Sequence, residues 1–196
     1  LDKAIDDYQQ TLELERARRG PNHNRVGARW NNLGRVYQAA GRLEEAVNCF
    51  EQAARVWQTG SASEHHANLA LAFKNLGAAH QQMGHLEQAR DFLLRGIAIS
   101  QGQYGKDHPD IGRDANLLGS ILQEMGELES ARDQFRRALR IDTAAFGQRH
   151  PEVALTLNNL GGVLYQLGEI EDARTCFTRA LQILETCVDA GHPYWT

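Results

Sequence analysis

The amino-acid sequence predicts an all-α solenoid built from repeated pairs of antiparallel helices. A tetrapeptide that ends in Leu-Gly occurs four times, at residues 31–34, 74–77, 116–119 and 158–161. Its glycines are 43, 42 and 42 residues apart. Apolar residues also follow a helical spacing within each copy. A fixed period of this length is typical of an array in which every unit packs on its neighbours.

Each repeat is expected to begin with a first helix that carries one apolar stripe. In the first complete copy the stripe residues are spaced by three and four positions, which places them on one side of a helix. They are Val26, Trp30, Leu33, Gly34, Tyr37 and Ala40. A glycine that can end a helix follows at the same place in every copy. These glycines are Gly41, Gly84, Gly126 and Gly168.

A second helix is expected to follow each glycine. It starts with an apolar residue and then an acidic one, which suits the positive end of the helix dipole. Large and small residues then alternate at fixed places, as close helix packing requires. The large ones are Phe50, Leu93, Phe135 and Phe177, and the small ones are Ala53, Gly96, Ala138 and Ala180.

These patterns predict a single array over residues 1–196 with four full repeats and about nine helices. Residues 1–20 form an orphan second helix, and residues 188–196 begin a further repeat that is cut short. The four repeats are predicted at residues 24–59, 66–103, 109–145 and 151–187. A one-residue insertion in the first repeat is assigned to the loop at residues 59–63. Because the chain starts without Met in the middle of a repeat, we expect it to be an excerpt of a longer protein.

The net charge and the number of cysteines limit which partners the protein could bind and which cellular compartment it could occupy. The net charge of −4 and the pI near 6.1 argue against a general affinity for nucleic acid or anionic membranes. No apolar stretch is long enough to span a bilayer. Three cysteines, an odd number, do not suit a disulfide framework and favour a reducing compartment, so a cytoplasmic location is expected.

The first repeat resembles the signature of the tetratricopeptide repeat (TPR) family. The residues that carry the resemblance are Trp30, Leu33, Gly34 and Tyr37, followed by Ala46 and Phe50. The 42-residue period and the His-Pro linkers at residues 105–110 and 147–152 are similar to the kinesin-light-chain type of TPR. This resemblance implies a right-handed superhelix whose first helices line a concave groove. It also implies protein or peptide binding without catalysis.

The resemblance places the polar side of each first helix inside the groove and so yields a candidate binding surface. Asn32, Asn75 and Asn159 share one repeat position and could form a ladder that holds a peptide backbone. Arg35, Lys74 and Arg113 would favour an acidic segment or a C-terminal carboxylate. The candidate peptide-binding residues are Asn31, Asn32, Arg35, Gln38, Lys74, Asn75, Gln81, Arg113, Asn116, Gln123, Asn158, Asn159 and Tyr165. The same amides could equally be solvated or bonded to the next repeat.

Other functions stay open at this point. The array could be a sensor domain of a larger signalling enzyme, such as a bacterial NTPase or protease, or a superhelix with a small-molecule pocket. Self-association through the uncapped ends is a further expectation, because such ends expose apolar surface. We expect no enzymatic activity, cofactor or metal. Histidines recur with the repeat, and residues about 10 Å apart cannot share one metal ion. Their place just before each first helix predicts capping or loop packing. These histidines are His23, His66, His108, His150 and His192.

Overall fold

The computed structural model describes residues 2–59 and 63–189, and the side chains of residues 3–59 and 66–186. Every regular element in these ranges is an α-helix, which confirms the predicted all-α fold, and the ranges contain nine of them. The helices are α1 Asp2–Arg19, α2 Asn24–Ala39, α3 Leu43–Gln58, α4 Ser63–Gln82, α5 Leu86–Tyr104, α6 Pro109–Glu124, α7 Leu128–Phe146, α8 Pro151–Gln166 and α9 Ile170–Asp189. Residues 60–62 of the predicted loop, and residues 190–196 of the predicted start of a further repeat, lie outside the described residues.

The chain forms two compact units that divide between Gln103 and Tyr104. The first unit contains α1–α5, in which α2 packs on α3, α3 packs on α4, and the first helices α2 and α4 also touch. The second unit contains α6–α9 and repeats this order, with α6 and α8 as its neighbouring first helices. Within each unit the first helices therefore lie side by side, and their polar faces adjoin.

The glycine of the recurring tetrapeptide allows the second helix to approach the first. A Cβ atom added at Gly34 would lie 2.6 Å from the Phe50 ring, and one added at Gly119 would lie 2.7 Å from the Phe135 ring. Both rings are fully buried. In these two repeats the large residue predicted on the second helix thus packs against the tetrapeptide glycine of the first helix. A side chain at that glycine would collide with the ring.

The predicted helix ends are present as left-handed glycines. Gly41 has a φ of +73°, a conformation that a residue with a Cβ atom rarely adopts. The backbone N–H of Arg42 donates to the carbonyl of Tyr37 at 2.9 Å, and that of Gly41 donates to Gln38 at 3.0 Å. These two bonds form a Schellman motif, which satisfies carbonyls that the end of the helix leaves without a partner.

Three of the repeating histidines cap first helices, as predicted. The Nδ1 atom of His23 accepts from the backbone N–H of Arg25 at 3.1 Å. His108 and His150 cap α6 and α8 in the same way. The prediction is wrong for His66, because α4 starts at Ser63 and His66 lies within its first turn. His192 lies outside the described residues.

Candidate functional site

The candidate surface consists of the polar sides of the first helices, which we call the first-helix faces. The face of the first unit comprises Ala28, Asn31, Asn32, Arg35, Gln38 and Ala39 on α2, and Leu71, Lys74, Asn75, Ala78, Gln81 and Gln82 on α4. The face of the second unit comprises Arg113, Asn116, Leu117, Ser120, Gln123 and Glu124 on α6, and Leu155, Asn158, Asn159, Gly162, Tyr165 and Gln166 on α8.

Amide side chains on the face of the first unit bond to each other across the two repeats. The Nδ2 atom of Asn75 donates to Oδ1 of Asn31 at 2.8 Å. Two helical turns further along, Nε2 of Gln38 donates to Oε1 of Gln82 at 3.1 Å. A helical wheel of α2 places Asn31 on the polar side, opposite the apolar stripe, and so predicts that it is exposed. This prediction is wrong, because Asn31 faces α4 and is only 4% exposed. The pairing joins Asn75 to Asn31, whereas the sequence aligned Asn75 with Asn32.

Arg35 and Lys74 give the face of the first unit its positive charge. Arg35 is exposed on α2, and Lys74 is half-buried on α4. Leu71 lies one turn before Lys74 and is 44% exposed. Asn32 and Gln81 are half-buried on the same face. This face therefore combines two cations, one apolar side chain and several amides.

The amides of the second unit belong to a chain of hydrogen bonds that leads into the protein interior. Asn159 donates through Nδ2 to Oδ1 of Asn116 at 3.2 Å. Asn116 in turn donates to the Thr156 hydroxyl. Thr156 donates to Oδ2 of Asp142 at 2.8 Å, and both of these residues are buried. The sequence reasoning missed Thr156 and Asp142. The available signal was an Asp at the repeat position where the first repeat has Trp57.

Burial changes the protonation behaviour of Asp142. The pKa of its carboxyl is raised because burial disfavours the charged form, while the hydrogen bond from Thr156 acts in the opposite direction. Asp142 lies on α7, behind the first-helix face. It is therefore a structural group that holds the position of Thr156 and, through it, of Asn116.

The rest of the face in the second unit exposes two apolar side chains and one ion-paired arginine. Tyr165 is 64% exposed and Leu155 is 54% exposed. Asn158 is exposed beside them. Gln123 donates through Nε2 to Oε1 of Gln166 at 2.9 Å. Arg113 is exposed, but it forms an ion pair with Asp110 in its own helix, which reduces the positive field at this face.

Burial shifts the pKa of a cysteine and of a histidine on the described part of the chain. Burial, and the nearby charge of Glu45, raise the pKa of the Cys49 thiol to about 12. Burial lowers the pKa of His80, whose ring stacks on Phe92 with 5.3 Å between centroids. Over the described residues, no three His, Cys, Asp or Glu side chains are grouped closely enough to hold a metal ion. None of the described helices combines the length and apolar character needed to cross a bilayer.

Comparison with known proteins identifies the repeats. The family model described as "Tetratricopeptide repeat" matches residues 1–59, 28–102, 68–144 and 115–186, and so covers most of the chain. A comparison with curated proteins found no sequence match.

Several solved structures share the fold. BtubC (BKLC) from P. vanneervenii is 22% identical, with a TM-score of 0.86 over 98% of this chain and 76% of that one. A putative kinesin light chain repeat protein of Podosopora anserina is 22% identical, with a TM-score of 0.80 over 94% and 87%. MamA is 21% identical, with a TM-score of 0.70 over 96% and 91%. The expected likeness to kinesin-light-chain repeats is confirmed at the level of the fold, and the chain belongs to the tetratricopeptide repeat family.

Proposed function

We propose that the chain is a protein-interaction module whose first-helix faces hold an extended peptide segment rich in acidic residues. Tetratricopeptide repeats generally mediate interactions between proteins, and the faces described above supply the chemistry for one class of partner. The observation that carries the proposal is the grouping of Arg35, Lys74 and Leu71 on the face of the first unit. Two cations and an apolar side chain on one face suit a segment that contains both acidic and apolar residues.

The paired amides add a means of holding the peptide backbone. A carboxamide has two N–H donors and an oxygen acceptor, so a single bond to a neighbour leaves hydrogen-bonding capacity. Because Asn75 is held by Asn31, and Gln38 by Gln82, their side chains are ordered before a peptide arrives. Ordering in advance lowers the entropy cost of binding. The pairs thus support peptide binding even though part of each amide is already used.

The face of the second unit is proposed to take apolar side chains. Leu155 and Tyr165 are the exposed apolar groups there, and Asn158 lies beside them. Tyr165 can bury its ring against a partner while its hydroxyl stays in water. Because Arg113 shares its charge with Asp110, we expect the second unit to contribute less to selection for acidic partners than the first.

Anisotropy of a labelled peptide tests this proposal. The test peptide is a fluorescein-labelled decapeptide of alternating Glu and Leu, and the control peptide alternates Lys and Leu. Charge reversal by Arg35→Glu, Lys74→Glu and Arg113→Glu together should weaken binding of the Glu-Leu peptide by roughly tenfold or more at low salt. The matched control is Arg55→Glu, which reverses an exposed arginine on α3, away from the face. Equal affinity of the wild type and the triple variant would contradict the proposal.

We further propose that the module has no enzymatic activity and works in a reducing compartment such as the cytoplasm. Tetratricopeptide scaffolds are typically not enzymes. The two cysteines whose side chains the structure describes, Cys49 and Cys176, are free thiols. Burial raises the pKa of both, which keeps them neutral and unreactive near neutral pH.

A further inference from the structure

The first unit contains an open notch between α1, α2 and α3, on the opposite side of α2 from the first-helix face. Its cavity volume is about 560 Å³. The floor is apolar and includes Leu12, Trp30, Tyr37 and Cys49. Cavities of a few hundred Å³ with an apolar and aromatic lining are typical of sites that take a side chain or a small molecule.

The next repeat has the corresponding notch between α3, α4 and α5, where it is smaller. Its volume is about 200 Å³, and its lining includes Phe73, Phe92 and Arg95. The guanidinium carbon of Arg95 lies 4.0 Å from the ring centroid of Phe73 and 5.5 Å from that of Phe92. This second notch is therefore filled by an aromatic ring and a guanidinium group from its own α5.

The repeat alignment shows what the first notch lacks. With an offset of 43 residues, Cys49 stands where the second notch has Phe92, and Gln52 stands where it has Arg95. The aromatic floor is kept, because Trp30 takes the place of Phe73. The first notch thus retains the surface on which a guanidinium stacks but has neither of the groups that fill its counterpart.

Acidic residues surround the open notch. Glu13, Glu44 and Glu45 all line it. At the position of Glu13 the second notch has Arg55, so an acid in one repeat is replaced by a base in the other. Each of them also forms an ion pair within its own helix, Glu13 with Arg16 and Arg55 with Glu51. Glu45 is bonded to Arg42, whose guanidinium carbon lies 4.7 Å from the Tyr37 ring centroid. A cation is therefore already accommodated at one edge of this notch.

We infer that the open notch binds an arginine side chain, flanked by an apolar residue, from a segment of a partner protein. The guanidinium would stack on Trp30 beside Glu44, as Arg95 stacks on Phe73. The apolar neighbour would fill the space next to Leu12 and Cys49 that Phe92 occupies in the second repeat. Cation–π stacking and opposite charge would select arginine over a neutral side chain. This site is separate from the first-helix face, and its partner is basic where the partner of the face is acidic.

Titration with short peptides tests the inference. Acetyl-Leu-Arg-Leu-amide, acetyl-Leu-Gln-Leu-amide and methylguanidinium are each added to the isotope-labelled chain, and the indole N–H signal of Trp30 is followed by NMR. Trp30→Phe identifies that signal. We expect saturable shifts with the arginine peptide and an affinity at least roughly tenfold above that of the glutamine peptide. Equal affinities would overturn the inference, and methylguanidinium binding as tightly as the peptide would overturn the assignment to a peptide segment.

Two variants locate the binding in the notch. Cys49→Phe combined with Gln52→Arg copies the filling of the second notch and should abolish the shifts. Retained binding in this variant, once thermal unfolding shows that it is folded, would overturn the inference.

The second variant, Glu13→Gln with Glu44→Gln, leaves the volume open and should weaken only the arginine peptide, by roughly fivefold or more. Its control is Glu87→Gln, the counterpart of Glu44 in the next repeat, which should change nothing. An unchanged affinity for the arginine peptide in the double Glu variant would likewise overturn the inference, even if the filled variant fails to fold.

Discussion

Thr156 on α8 donates its hydroxyl hydrogen to the buried carboxyl of Asp142 on α7, at 2.8 Å. Through Thr156 this carboxyl is connected to Asn116 and Asn159 on the first-helix face of the second unit. An interior acid therefore determines the orientation of two surface amides, and its protonation affects the stability of that unit.

The raised pKa of Asp142 predicts a stability that falls as pH rises. In the unfolded chain the carboxyl ionises near its ordinary value of 3.8, whereas in the folded protein it keeps its proton to a higher pH. Between these two values the unfolded state has lost a proton that the folded state retains, so the free energy of unfolding decreases with pH. Below pH 3.8 the carboxyl is protonated in both states and does not change the free energy of unfolding. Above the raised pKa it is ionised in both states, and its unfavourable contribution stays constant.

Urea unfolding of Asp142→Asn across this pH range measures the effect. Because Asn does not ionise, the stability of the variant relative to the wild type should increase as pH rises from below 3.8 and then level off. Glu129→Gln, which removes an exposed acid from the same helix, serves as the control for the loss of one carboxyl group from α7. A constant difference for Asp142→Asn would show that its carboxyl ionises alike in both states.

The contact between Gly119 and Phe135 predicts a steric penalty. In Gly119→Ala the new methyl group would lie 2.7 Å from a fully buried ring, so either α6 and α7 separate or the ring leaves its rotamer. We expect a loss of about 1–3 kcal/mol in the free energy of unfolding. In Gly102→Ala the new methyl group meets nothing within 4 Å, and better helix propensity should give a small gain of up to about 1 kcal/mol. Similar effects of the two changes in thermal unfolding would refute the packing argument.

The cap at His23 predicts a difference between two histidines at the same repeat position. His23→Ala removes the acceptor for the Arg25 N–H at the start of α2 and should cost about 0.5–1 kcal/mol. His66→Ala changes an exposed residue inside α4 and should be close to neutral. Chemical denaturation of both variants distinguishes these outcomes. Equal losses would mean that position in the repeat, and not capping, governs the contribution of these histidines.

The pair Asn31–Asn75 predicts energetic coupling between successive repeats. A double-mutant cycle with Asn31→Ala and Asn75→Ala should give a coupling of about 0.5–1.5 kcal/mol, the usual net value of one hydrogen bond. Asn75→Ala alone should be costly, because it leaves the buried Oδ1 of Asn31 without this donor, whereas the half-buried Asn75 amide left by Asn31→Ala can bond to water. Additive single changes would indicate that the two amides bond mainly to water.

The fold could be predicted from the sequence because every repeat has the same pattern of residues that pack together. The repeat position of Gly119 is a glycine in all four repeats, and the repeat position of Phe135 is a large apolar residue in all four. The burial of Asn31 could not be predicted, because a helical wheel describes one helix and Asn31 is covered by its neighbour α4. A helical wheel gives the angle of each side chain about one helix axis. It does not show which of these side chains the neighbouring repeat buries.

The open notch was visible in the sequence only in part. Alignment of the repeats shows Cys49 opposite Phe92 and Gln52 opposite Arg95. Arg95 stacks on Phe73 and fills the second notch together with Phe92. This stacking depends on side-chain rotamers, which a repeat pattern does not determine. The same limit applies to the hydrogen bond between Thr156 and Asp142. The repeat pattern shows a polar residue at a position that is buried in the first repeat, but it does not show which residue bonds to it.

Chemical-shift mapping of the alternating Glu-Leu decapeptide on the labelled chain tests whether the first-helix faces bind an acidic peptide. We expect saturable shifts at Arg35, Leu71 and Lys74 on the first unit, with a further set at Leu155 and Tyr165 on the second, and their loss in the triple charge-reversal variant. Shifts confined to the second helices, or shifts that survive reversal of all three cations, would contradict it.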